Sequence, residues 1–159
     1  MVATSNPLAS AAGLNILRQG GNAADAVIAA AAVLNVTEPA STGIGGDCFA
    51  IIAKPGTRPV AFNASGRAPK AATPEWYAKQ GIKSIAMQSP HAVTVPGAID
   101  GWATLLKDYG TRSFADVLAR AIEYAEGGFI VAPRVAWDWG KLTEKLSVHP
   151  GARQHLLPN

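Results

Sequence analysis

The run ADAVIAAAAVLNV, Ala24 to Val36, constrains this chain more than any other stretch. It reaches only about two-thirds of the length that crosses a bilayer, and Asp25 stands at its start, so it is expected to be a buried helix and not a membrane span. Alanine gives up no side-chain freedom in a helix and lets another backbone come close, so such a helix needs a tightly packed neighbour. The rest of the composition agrees: only 16% of residues are charged, against a usual quarter, and glycine occurs 16 times. Much of the surface of such a chain expects to be covered.

The flanking residues set the helix limits. Asn6-Pro7 is a cap and first-turn pair, with Leu8, Ala12, Leu14 and Leu17 following at helical spacing, and Gly20-Gly21 ends a first helix of about residues 7 to 19. Asn22 or Asp25 caps the second, which must end before Glu38-Pro39, because a residue that precedes proline disfavours helical geometry. The period then changes. DCFAIIA (47 to 53) and VAFN (60 to 63), joined by the turn formers KPGTRP, predict a β-hairpin. Thr73-Pro74 opens a short helix ended by Gly81, and HAVTV (91 to 95) predicts a strand or extended segment. AIDGWATLLKDYG is a helix closed by Gly110; Ser113 to Asp116 resembles a capping box for another; Pro133 opens a last one. The tail from Ser147 to Asn159 reads as irregular. There is no internal repeat.

Several function classes are excluded by what is missing. The 14 basic and 11 acidic residues are scattered, with no lysine or arginine cluster to follow a phosphate backbone, so nucleic acid is not an expected partner. A lone cysteine, Cys48, rules out an internal disulfide and reads as a small buried hydrophobe. His91, His149 and His155 lack metal-ligand spacing and read as solvent or cap residues. The Gly-rich STGIGGD (41 to 47) precedes a strand and lacks the Lys-[ST] of a phosphate loop, so it reads as a tight turn where backbones meet. Asp25, Glu38 and Asp47 are possible acids or bases, but each stands where a cap or turn would use it. MVATSNPLAS has neither the basic nor the apolar region of a secretory signal. On this sequence the expected location is cytoplasmic, or periplasmic or secreted where a signal has been removed. The two glycosylation sequons, at Asn35 and Asn63, are read as chance.

Arg67 is the exception. In FNASGRAPKAATP it stands between Gly66 and Ala68 with no acid anywhere in the segment. A guanidinium keeps its proton and presents a rigid fork of donors, so an arginine among small residues at a strand end suits a bidentate grip on a carboxylate.

NPLASAAGLNILRQGGNAADAVIAAAAVLNVTEPASTGIGGDCFAII resembles the N-terminal signature of the γ-glutamyltranspeptidase family, and NASGRAPKAAT, VPGAIDGW and SFADVLARAIEYAEGGFIV continue it in order. The resemblance implies an α+β fold, the αββα sandwich of N-terminal nucleophile hydrolases, of which residues 1 to 159 would be a partial domain: the N-terminal segment of the large subunit, mainly helical with a hairpin. It further implies a proenzyme that cuts itself, a small subunit as partner, and that subunit's new N-terminal threonine as nucleophile, beyond residue 159. No threonine of this chain sits in a comparable motif, so no catalytic residue is expected here, and the chain alone should be inactive. Arg67 matches the arginine that binds the α-carboxylate of a γ-glutamyl small-molecule substrate, and acyl transfer through a threonine ester needs no metal and no cofactor. Ser65-Gly66-Arg67-Ala68 departs from the best-known transpeptidases, which carry an acid after the arginine and an aromatic before it. Two alternatives stay open: an acylase on the same scaffold, for β-lactam side chains or poly-γ-glutamate, and a non-catalytic carboxylate-binding module.

Overall fold

The computed structural model describes residues 1–87 and 89–157, which form two compact units, Met1–Gly43 with Ala115–Asn159, and Ile44–Phe114. The end of the tail, Pro158 and Asn159, lies outside the described residues.

In the first unit, helix α1 (Pro7–Arg18) packs against α2 (Ala23–Thr37). Asn6 caps α1 by accepting from the Leu8 N–H at 3.0 Å. Both residues expected to cap α2 do so: the Asn22 side chain accepts from the Asp25 N–H at 3.2 Å, and the Asp25 carboxylate accepts from the Asn22 N–H at 2.8 Å. This reciprocal arrangement satisfies donors that a helix start leaves unpaired. The alanine block makes the interface. Ala9, Ala12 and Ile16 of α1 are buried, as are Ala26, Ile28, Ala29, Ala30, Ala32 and Val33 of α2. Ile28 and Val33 are almost fully buried, each worth about 1.5–3 kcal/mol by its removal from water. The unit also holds α5 (Phe114–Gly127, from Ala115 onward), α6 (Pro133–Ser147) and α7 (Pro150–Leu156).

α7 corrects the expectation of an irregular tail. Pro150 supplies the fixed first turn, His149 Nδ1 accepts from the Ala152 N–H at 3.4 Å, and the Trp139 indole of α6 donates to the Leu156 carbonyl at 3.3 Å. A seven-residue helix is too short to persist by propensity, and its packing on α6 supplies what the local sequence lacks.

The second unit is built on the predicted hairpin, β1 (Cys48–Ile52) and β2 (Val60–Ala64), antiparallel with Cys48 opposite Ala64 and Ile52 opposite Val60. The turn closes with the Thr57 N–H on the Lys54 carbonyl at 3.1 Å and with Gly56 at φ 76°. The strands are followed by α3 (Pro74–Lys79) and α4 (Ala98–Tyr109). Ala98, Gly101, Trp102, Leu105 and Leu106 form the buried stripe of α4. Gly101 allows the helix onto the hairpin, since a β-carbon there would stand 2.6 Å from that of Ala64 and 3.2 Å from that of Cys48. Cys48 is half-buried, less than the sequence suggested.

Residues 91 to 95 do not form a strand. Ser89 caps a 3₁₀ turn at Pro90–Ala92, its hydroxyl accepting from the His91 N–H at 3.2 Å, and Val93 is then extended without joining the sheet. The cap and the proline at the first helical position outweigh the β-preference of His-Ala-Val. No helix among the described residues is long and apolar enough to cross a membrane.

Candidate functional site

The surroundings of Arg67 follow from the way β2 ends. The Asn63 side chain accepts from the Ser65 N–H at 2.9 Å, a local turn that competes with strand pairing just after the last ladder residue, Ala64. Gly66 then takes φ 77°, the left-handed region, and turns the chain away from the hairpin. Arg67 comes next, exposed on a surface groove of about 740 Å³.

Asn63, Ser65, Lys70, Asp100 and Thr104 also line this groove. Among the described residues Arg67 is in no ion pair, and Asp100, on the first turn of α4, is not within ion-pairing distance of it or of Lys70. Among the described residues no carboxylate pairs with Arg67, so the groove carries a cation of the kind that binds a planar anion through two parallel hydrogen bonds.

The other sequence candidates fall elsewhere. Asp25 is buried and occupied by the α2 cap, and Glu38 accepts from the Ser5 hydroxyl at 2.7 Å. His149 is a cap, as anticipated, whereas His91 packs edge-on against Trp76 and Tyr77, each with ring centroids 5.6 Å apart. Among the described residues no group of three potential ligands could hold a metal ion. In the Gly-rich loop the expected close approach of backbones occurs at Gly46, whose carbonyl accepts from the N–H groups of Gly97 and Ala98, whereas Gly43 and Gly45 have nothing within 4 Å of a would-be β-carbon. A second close approach lies at Gly66 and Gly97: a β-carbon on Gly66 would strike the Val95 carbonyl, and one on Gly97 would strike that of Ala64. Sequence reasoning passed over Gly97, Thr94, Lys70 and Asp100. Nothing local in the sequence marked where these residues would dock.

The model of the family described as gamma-glutamyltranspeptidase matches residues 9–159. The chain belongs to this family. It is 44% identical over 134 residues, 83% of its own length and 25% of the relative's, to the glutathione hydrolase-like YwrD proenzyme of Bacillus subtilis. It is similar in structure to the γ-glutamyltranspeptidase of Helicobacter pylori, with a TM-score of 0.88 and 31% identity, covering 98% of this chain and 45% of that one. It is also similar to the cephalosporin acylase of Bacillus halodurans, with a TM-score of 0.86 and 45% identity, covering 92% of this chain and 27% of that one. The fold is that of the N-terminal nucleophile hydrolases of this family, represented among the described residues by helices and one two-stranded hairpin. The chain spans about a quarter of the length of the curated relatives it matches.

Proposed function

We propose that this chain is the N-terminal segment of the large subunit of an enzyme that cleaves γ-glutamyl amides, and that Arg67 grips the α-carboxylate of the γ-glutamyl group. The observation that carries the assignment is the exposed guanidinium of Arg67, in no ion pair among the described residues, on a groove of about 740 Å³ in a chain of this family. The nucleophile on this reading is the threonine of the small subunit, beyond residue 159. Its hydroxyl, with its own α-amino group as base, attacks the γ-amide carbonyl; the amine leaves, and water or a second amine resolves the threonine ester. Arg67 takes no part in the bond changes. A carboxylate fixed in two places sets the amide against the nucleophile, and this orientation is what the arginine contributes to rate.

A second reading, an acylase on the same scaffold, is favoured by the 45% identity to the cephalosporin acylase and by the absence of an acid after Arg67 in SGRAP. It differs in the donor. Glutaryl amides, which keep the terminal carboxylate and lack only the α-amino group, would then be cleaved better than γ-glutamyl amides.

The test is a donor comparison on the complete, self-processed enzyme, with Arg67→Lys and Arg67→Ala beside the parent. Lysine keeps the charge and loses the fork, and alanine loses both, so kcat/KM on γ-glutamyl amides should fall in that order. Hydrogen bonds to charged groups are worth roughly 1.5–3 kcal/mol each, so Arg67→Ala should cost on the order of a hundredfold or more. Self-cleavage should be unchanged, since it involves no substrate carboxylate. Blocked maturation, or a kcat/KM within a few fold of the parent, would overturn the assignment.

A further inference from the structure

We infer that Thr94 is a positioning residue for Arg67, the polar clasp that fixes the backbone from which the guanidinium projects; this rests on the reading of Arg67 as the carboxylate grip. The Thr94 hydroxyl donates to the Ser65 carbonyl at 3.0 Å, and the Val95 N–H donates to the Arg67 carbonyl at 2.9 Å. These two bonds come from consecutive residues and bracket Gly66. Bracketing matters there, because Gly66 at φ 77° has no side chain to limit its torsions and lies just past the last paired residue of β2. Without the clasp, Arg67 would hang from a swivel.

The segment that carries the clasp, residues 94 to 98, is a strap that is itself anchored. The N–H groups of Gly97 and Ala98 both donate to the Gly46 carbonyl, at 3.1 and 3.0 Å, which ties it to the end of the Gly-rich loop and the start of α4. Asp47 Oδ1 lies 3.4 Å from the Thr94 hydroxyl. That hydroxyl has one proton, and the shorter contact makes the Ser65 carbonyl its better acceptor. Below it, a β-carbon on Gly97 would be 2.6 Å from the Gly66 nitrogen, so the two segments touch along their backbones. Arginine has a long, flexible stem, and a bidentate grip is only as well oriented as the main chain that carries it.

The experiment uses the complete, self-processed enzyme and two donors: a γ-glutamyl amide, and the 4-aminobutanoyl amide that has the same amino group and scissile bond but no carboxylate. Thr94→Val keeps the shape and removes the hydroxyl. It should raise KM for the γ-glutamyl amide about five- to tenfold with kcat within about threefold, and leave kcat/KM for the 4-aminobutanoyl amide unchanged. Thr94→Ser should restore the parent values, and Thr94→Val placed on Arg67→Ala should cost nothing more. If Thr94→Val does not mature, Thr94→Cys, with its weaker donor, gives the same readout. Equal losses on both donors, or no rescue by serine, would reduce Thr94 to a structural residue and overturn the inference while the Arg67 assignment stands. If Arg67→Ala itself leaves the preference for the carboxylate donor intact, the assignment of Arg67 fails, and the inference with it.

Discussion

Gly66 lies against the carbonyl oxygen of Val95 so closely that no β-carbon fits between them. Its φ of 77° is a second, independent reason for glycine at this position. Gly81, at φ 69° but with nothing within 4 Å, has only the torsional reason. Gly81→Ala should therefore cost about 1–2 kcal/mol, the ordinary cost of a left-handed alanine, and Gly66→Ala about 1–3 kcal/mol more, from forcing the strap away. Denaturant melts of the two variants beside the parent check the order. Equal losses would mean that the strap yields freely.

Two helical glycines should respond to alanine with opposite signs. Alanine is intrinsically better than glycine inside a helix by about 1 kcal/mol, and Gly140 of α6 has open space around it, so Gly140→Ala should stabilise by about that amount. At Gly13 of α1 the new methyl would stand 2.8 Å from the Ala26 carbonyl and 3.0 Å from Val2. A carbonyl within α2 cannot swing aside as a flexible side chain would, and overpacking of this kind costs about 1–3 kcal/mol. Gly13→Ala should thus melt below the parent and Gly140→Ala above it, each by a few degrees.

The Cys48 thiol should resist alkylation at neutral pH, because partial burial beside α4 pushes its pKa above the ordinary thiol range. The sign for stability follows. The folded chain holds the thiol proton more tightly than the unfolded chain, so this contribution is fully present below the unfolded thiol pKa and is lost as pH rises from there through the higher folded value. The window lies wholly on the alkaline side. Iodoacetamide rates against pH should give a midpoint above that of an unfolded thiol, and Cys48→Ala should lose less stability than the parent between neutral and alkaline pH. A midpoint at or below the ordinary range would show a thiol in contact with water or with a cation.

What the sequence determined by itself was everything that depends on a few neighbouring residues. Asn6-Pro7, Asn22 with Asp25, Gly20-Gly21 and Gly110 mark helix ends because cap bonds and torsional preferences reach no more than about four residues along the chain. The period change at Cys48 and the turn formers after Ile52 specified the hairpin in the same local way, and the isolation of Arg67 from acids was visible in one line of text. Tertiary structure decided which glycines are crowded, which threonine matters and whether the tail is ordered. The Gly-rich loop was legible as a place where backbones meet. The sequence did not show that Gly46 makes the contact while Gly43 and Gly45 stand in open space, or that Gly66 and Gly97, about thirty residues apart, hold two backbones together. In the tail, Pro150–Leu156 became a helix because a bond from Trp139 to Leu156, which no local preference encodes, adds to the local Pro150 turn and His149 cap. Such contacts depend on where the intervening chain travels, and that path is set by burial of the α1–α2 and α4–hairpin interfaces as wholes, not by any short run of residues.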